Sequence, residues 1–317
     1  MPCEACFAPL LSWVLQQWSG TQLTLALDAT SLQDRFVVLC VSVLYRGCAL
    51  PVAWCVLPAN RPGSWRPHWL RLLRLLRPGV PASYEVLVLA DRGLYASWLF
   101  RRIVRLGWHP FLRINRGGTF QVAGRTRSQP LLVIAKELGG WGSVSGVAFQ
   151  GQRALPCTLG VYWDKGCTDP WLILSDLAPP QCQACWYGTR AWIEHGFKLT
   201  KSEGWQWQRT RMKNTQRVNR MWLVLALVLA LVLAVATLWV VTQGSHHEDQ
   251  SEQHRSWKNR KNTVSGSSPK REVSLFRRGW IAQIVALWKG EPLLWQHHLK
   301  PEPRPQPNLK RLFFDSS

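Results

Sequence analysis

Apolar positions along the first third of the chain fall into short runs broken by turn residues. Gln22–Ala29 alternates and closes at Asp28-Ala29-Thr30, Phe36–Tyr45 is almost wholly apolar, and Leu50–Leu57 follows after Gly47. Runs of this length between Gly, Pro and Asp read as strands buried on both sides. In Trp65–Arg77, Trp69, Leu72, Leu73, Leu75 and Leu76 interleave with Arg71, Arg74 and Arg77, the period of an amphipathic helix, and Pro78-Gly79 stops it. Glu85–Ala90 predicts a fourth strand ending at Asp91, Ser97–Leu106 a second helix, and Pro110–Ile114 a fifth strand. Three strands in a meander, then strands reached through helices and therefore parallel, predict a mixed α/β sheet in ribonuclease-H-like order.

Residues 117–182 are rich in glycine. Short runs at Leu131–Ala135, Val144–Phe149, Leu159–Trp163 and Trp171–Leu174 suggest strands, and so a β-rich insertion. Residues 183–218 carry a helical pattern. Residues 244–273 are polar and charged, the composition of a disordered linker. Leu275–Lys289 predicts a last helix, before a Pro-rich tail. The expected organisation is a short segment over 1–20, a first core part over 21–116, the insertion over 117–182, a second core part over 183–243, the linker over 244–273 and a C-terminal helix and tail over 274–317.

Charge narrows the function. The chain of 317 residues has 39 Lys and Arg against 18 Asp and Glu, a net +21. Such a balance favours a polyanionic partner over a neutral metabolite. Nine cysteines, an odd number, and a start without a basic signal-peptide end point to free thiols in a reducing cytoplasm. Cys3/Cys6 and Cys182/Cys185 have paired spacing but lie too far apart for a usual zinc ribbon. Met221–Val241 is long and apolar enough to read as a membrane span or as a helix buried in a large core.

One stretch concentrates polar chemistry. Tyr187, Arg190, Glu194 and Lys201 fall within an arc of about 60° on a helix turning 100° per residue. A carboxylate flanked by cations suits a metal ligand beside phosphate-gripping groups, while spacing alone favours a solvated charged face with an i, i+4 pair of Arg190 and Glu194. His195, next to Glu194, points off this arc.

The run YGTRAWIEHGFKLTK resembles the YREK signature of DDE transposases of the insertion-sequence-four group. LALDAT at Asp28 and VLADRGLY at Asp91 resemble that family's two strand-end aspartates. The apolar run after the signature and the FRRGW segment Phe276–Trp280 are similar too, and the likeness spans roughly residues 20–295. It implies cut-and-paste DNA transposition, with Asp28, Asp91 and Glu194 catalytic and holding two Mg2+ ions, which Mn2+ could replace. Water would serve as nucleophile for nicking, and a 3′-hydroxyl for strand transfer. Tyr187, Arg190 and Lys201 would grip DNA phosphates, and Trp163 or Trp171 would stack a flipped base. Double-stranded DNA at transposon ends and target, a synaptic homodimer and a nucleoid-associated cytoplasmic location are implied with it. Under this resemblance 221–241 becomes a buried helix, and no membrane partner is expected. Only 27 residues precede Asp28, where the family has a DNA-binding domain; either that domain is missing and the chain is a shortened copy, or the true start lies upstream, or end recognition is done elsewhere. The competing readings are a single-span basic membrane protein and a DNA-binding remnant without catalysis.

Overall fold

The computed structural model describes residues 3–16, 18–59, 63–164, 166–198, 201, 209 and 275–291. The apolar run 221–241, the polar stretch 244–273, the Pro-rich tail and most of the helical pattern after residue 198 lie outside them. Among the described residues no helix is long and apolar enough to cross a membrane.

A helix α1 (Phe7–Gln16) precedes the strands. It buries Phe7, Leu11, Val14 and Leu15, a helical i, i+4, i+7, i+8 set. The meander follows as β1 (Gln22–Leu32), β2 (Phe36–Tyr45) and β3 (Cys48–Pro58). Next come α2 (Arg66–Leu76), β4 (Glu85–Ala90), α3 (Ser97–Arg105) and β5 (His109–Arg113). β1 pairs antiparallel with β2, and β2 with β3, while β1–β4 and β4–β5 are parallel. The order β3-β2-β1-β4-β5 is the ribonuclease-H-like arrangement. β1 does not end near Asp28: its antiparallel ladder with β2 runs on to Leu32↔Phe36, whereas its ladder with β4 stops at Leu27↔Ala90.

The glycine-rich stretch does not build a sheet of its own. It contains β6 (Thr119–Val122), β7 (Gln129–Pro130), β8 (Trp141–Ala148), β9 (Leu155–Tyr162) and β10 (Trp171–Ser175). β10 pairs with the free edge of β5, so one ten-stranded sheet runs β3-β2-β1-β4-β5-β10-β9-β8-β6-β7. The β5–β10 ladder is short: Leu112 and Arg113 oppose Leu174 and Ile173, and the Ile114 N–H donates to the Leu172 carbonyl at 2.9 Å. Residues 131–135, expected as a strand, lie in a helix, α4 (Leu131–Glu137). Leu131, Ile134 and Ala135 are buried and Val133 is exposed, which is helical burial; a five-residue apolar run is too short for its period to tell the two apart.

Both faces of the sheet are covered, which is why its central strands read as continuous apolar runs. Period-two alternation divides them. Leu25, Leu27, Val86 and Val88 pack with Leu11 of α1, Trp69 and Leu73 of α2, and Leu99 and Ile103 of α3. Ala26, Leu87, Leu89 and Phe111 face the other way, toward Tyr187 and Ile193. Each fully buried Leu or Ile contributes about 1.5–3 kcal/mol relative to exposure.

Candidate functional site

Tyr187 lies in a 3₁₀ helix, Ala184–Ala191, which runs directly into α5 (Trp192–Lys198). The signature is thus not one continuous α-helix but a 3₁₀ helix that leads into an α-helix. The Thr189 hydroxyl donates to the Trp186 carbonyl at 2.9 Å, a local bond of the kind that competes with regular helix pairing. In the tighter helix, residues three apart eclipse, so Tyr187 and Arg190 stand one above the other. Two glycines let this segment lie against the sheet. A Cβ at Gly196 would approach Ala49 Cβ at 3.0 Å and the Ala49 carbonyl oxygen at 3.1 Å, and one at Gly188 would meet the Trp171 ring at 3.1 Å. Their close approach carries Arg190 and Glu194 over the central strands.

Asp28 and Asp91 each come one residue past the last β1–β4 pair, Leu27↔Ala90, so they are neighbours across adjacent strands. Strand alternation turns Asp28 to the side of Ala26, the side covered by α5. The Asp28 Oδ1 accepts the Ala29 N–H at 2.8 Å, and the Asp91 Oδ1 accepts the Gly93 N–H at 2.9 Å. Asp91 is not the cap of α3, whose N-cap is Ala96.

The three carboxylates share one cation. Arg190 Nη2 lies 2.7 Å from Asp28 Oδ2 and 3.5 Å from Asp91 Oδ2, and its Nη1 lies 2.7 Å from Glu194 Oε1. The Arg190 and Asp28 side chains are 12% and 15% exposed, whereas Glu194 is 59% exposed. Among the described residues no three His, Cys, Asp or Glu groups are grouped as an ion's ligands, including the two cysteine pairs. The acidic oxygens are held on the guanidinium instead.

Burial raises the Asp28 pKa above the usual carboxylate value; Arg190 and the Ala29 N–H oppose the rise, and the charges of Asp91 and Glu194 add to it. Burial alone would lower the Arg190 pKa, but Asp28, Tyr187, Asp91 and Glu194 outweigh it and leave it raised. Lys201 is lowered by burial, with the charge of Asp28 acting against that. Burial pushes the Tyr187 phenol up to about 12, although the charges of Arg190 and Arg113 oppose this.

Tyr187 is buried, edge-on to Trp171 at 5.7 Å, with the Arg113 guanidinium 5.8 Å from its ring centre. Arg113 was not singled out in the sequence. Its signal is its place at the end of the third parallel strand, beside those that lead to Asp28 and Asp91. Of the two tryptophans weighed for base stacking, Trp171 is packed by Tyr162, Tyr187 and Gly188, while Trp163 donates its indole N–H to the Cys167 carbonyl at 2.9 Å. Other acidic groups are engaged away from the cluster: Asp169 pairs with Arg92 at 3.2 Å and Arg116 at 2.6 Å, and Asp176 with His109 at 3.1 Å.

The family profile described as "Transposase DDE domain" matches residues 41–231, more than half of the chain. No curated protein matches as a relative. Among solved structures, a piggyBac transposase synaptic complex with hairpin DNA is similar at 12% identity and a TM-score of 0.33, over 60% of this chain and 43% of that one. The chain therefore spans less than half the length of that transposase. An Endonuclease V of Ciona intestinalis, in complex with DNA containing an inosine followed by a ribo-adenosine, is similar at 15% identity and a TM-score of 0.28, over 55% and 77% of the two chains. Likenesses this distant leave the fold to be read from the strand order itself. The profile match is of another kind, since it reaches from β2 through the helix bearing Glu194, and by it the chain belongs to the transposase DDE domain family.

Proposed function

We propose that this chain is a transposase of the insertion-sequence-four group that cuts transposon ends and joins them to target DNA. The observation that carries the reading is the meeting of Asp28, Asp91 and Glu194, from three distant stretches of chain, on the single guanidinium of Arg190. Carboxylate oxygens are the donors that hard divalent cations select. Asp28, Asp91 and Glu194 would hold two Mg2+ ions, with Mn2+ able to substitute. Bound there, the ions would activate the attacking oxygen and stabilise the leaving oxygen of an in-line phosphodiester displacement.

The chain's own residues supply the rest. Ions held there would take over the carboxylate oxygens that Arg190 now engages and so would leave its guanidinium free. Its planar fork then matches two phosphate oxygens next to the cleaved bond. Lys201, within electrostatic reach of Asp28, adds a second cation for the same backbone. Tyr187, with its pKa pushed up to about 12 by burial, stays protonated at working pH and donates a hydrogen bond rather than acting as a base. A homodimer on double-stranded DNA, bridging two transposon ends at the nucleoid of a cytoplasm, belongs to the same reading.

The test is nicking of a supercoiled plasmid carrying the DNA that flanks the reading frame. Cleavage is expected with Mg2+ or Mn2+ and is expected to fall to background in Asp28→Ala, Asp91→Ala and Glu194→Ala. Cutting that persists in chelator, or in these variants, overturns the assignment. DNA binding with no cleavage under any divalent ion identifies a catalytically dead remnant instead.

A further inference from the structure

Across the sheet from α5, α2 and α3 lie side by side, and the 3₁₀ turn Gly151–Arg153 closes a groove of about 810 Å3 between them. Its walls carry Arg66, Arg71 and Arg74 from α2, Arg101, Arg102 and Arg105 from α3, and Arg153 from the turn, with no carboxylate among the lining residues. Neither helix contains a single Asp or Glu. Folding explains the inward residues: Trp69, Leu72, Leu73, Leu76, Leu99, Phe100 and Ile103 are buried in the core. It does not explain why the outward positions are arginine without opposite charges, since ordinary helix surfaces mix signs and gain from i, i+4 pairs.

Few of these guanidinia are spent internally. Arg71 pairs with Glu4, Arg101 donates to the Ala154 carbonyl at 2.8 Å, and Arg66 lies 5.5 Å from the centre of the Trp98 ring. Arg74, Arg105 and Arg153 have no carboxylate partner among the described residues, and the buried Nε of Arg102 has no acceptor. A concave surface of one sign focuses its field on a polyanion. From Arg66 to Arg74 the helix rises about 12 Å, about the axial rise of three to four base pairs of a duplex at roughly 3.4 Å each. One isolated phosphate would leave most of the guanidinia unneutralised.

We infer that this groove is a second duplex-DNA site, gripping the backbone of a segment other than the one presented to the carboxylates. The inference rests on the reading that the chain handles DNA; it does not rest on cleavage. The groove and the acidic cluster lie on opposite faces of the sheet, so a segment gripped in the groove leaves the acidic cluster free for another.

The test is binding of a short labelled duplex of random sequence to the full chain, without divalent ions, across a salt series. In the Arg74→Ala/Arg105→Ala/Arg153→Ala variant the slope of log affinity against log salt should become shallower by about 2.7, at about 0.9 per lost phosphate contact. The triple lysine variant at the same positions should keep the parent slope, and all three proteins should melt alike. An unchanged slope in the alanine variant overturns the inference. So does displacement of the duplex by millimolar inorganic phosphate at matched ionic strength, which would mark a small-anion site, or tighter binding of duplex RNA. Because no cutting is measured, a protein that fails to cleave can still pass, and a cleaving protein can still fail.

Discussion

The two faces of one sheet use charge in opposite ways. On the α5 side, three carboxylates crowd a single arginine whose side chain is 12% exposed, and each charge has its partner. On the α2–α3 side, seven arginines line a groove without any acid, and most of their charge is left for something outside the chain. The first arrangement is closed on itself and must be opened by exchange. The second is open and needs only a ligand. On the reading proposed above, the two faces would do different work: one would select cations and present a reacting bond, the other would grip a long anion.

The contrast can be broken most strongly at Gly196. Gly196→Val drives side-chain carbons into Ala49 and its carbonyl, and should cost about 1–3 kcal/mol in stability by overpacking. It should lift Glu194 away from Asp28 and reduce nicking by more than about tenfold, while duplex binding through the α2–α3 groove keeps its salt slope. Loss of both together would mean that the two faces are not independent.

pH sharpens the comparison. Ion binding needs ionised carboxylates, and burial raises the Asp28 pKa. Nicking should fall, as pH is lowered, at a higher pH than an ordinary carboxylate would dictate. The stability contribution has the opposite sign: a raised folded-state value favours the fold below the unfolded carboxylate pKa, and this is lost as pH rises through the folded value. Groove binding should stay flat through the same window, because arginine does not titrate there. A parallel fall of groove binding and nicking would count against the separation.

The smallest effect belongs to Arg71→Ala. Its pair with Glu4 is exposed, and breaking it should cost roughly 0–1 kcal/mol in thermal unfolding. The salt slope for duplex binding should drop by about one contact, or about 0.9.

Much of the scaffold was legible in the sequence. The strands through Pro110–Ile114 and helices α2 and α3 announce themselves by apolar period and by Gly, Pro and Asp stops. The aspartates stand where two neighbouring parallel strands cease to pair, a place that order alone identifies. Other features depend on long-range contact. In the 3₁₀ helix that begins the Glu-bearing segment, Gly188 lies against the Trp171 ring, a contact with no local signature. That Arg190 sits amid all three acids needs the sheet and the helix docked together. The pairing of β10 with β5 joins residues some sixty positions apart, so the stretch between them read as a module rather than as more of the same sheet. Leu131–Ala135 reads as a strand because Val133 and Ile134 are β-branched, while tertiary burial of one helical side overrides that preference.

The narrow ladder between β5 and β10 has a mechanical consequence. Ten strands suggest a single stiff plate, but two residue pairs and one flanking bond are a stitch line, with five strands on either side. Arg113 lies on that line and also props the ring of Tyr187. A tug on the outer five strands is therefore felt first beneath the tyrosine, one short helical turn below the arginine that holds the acids together.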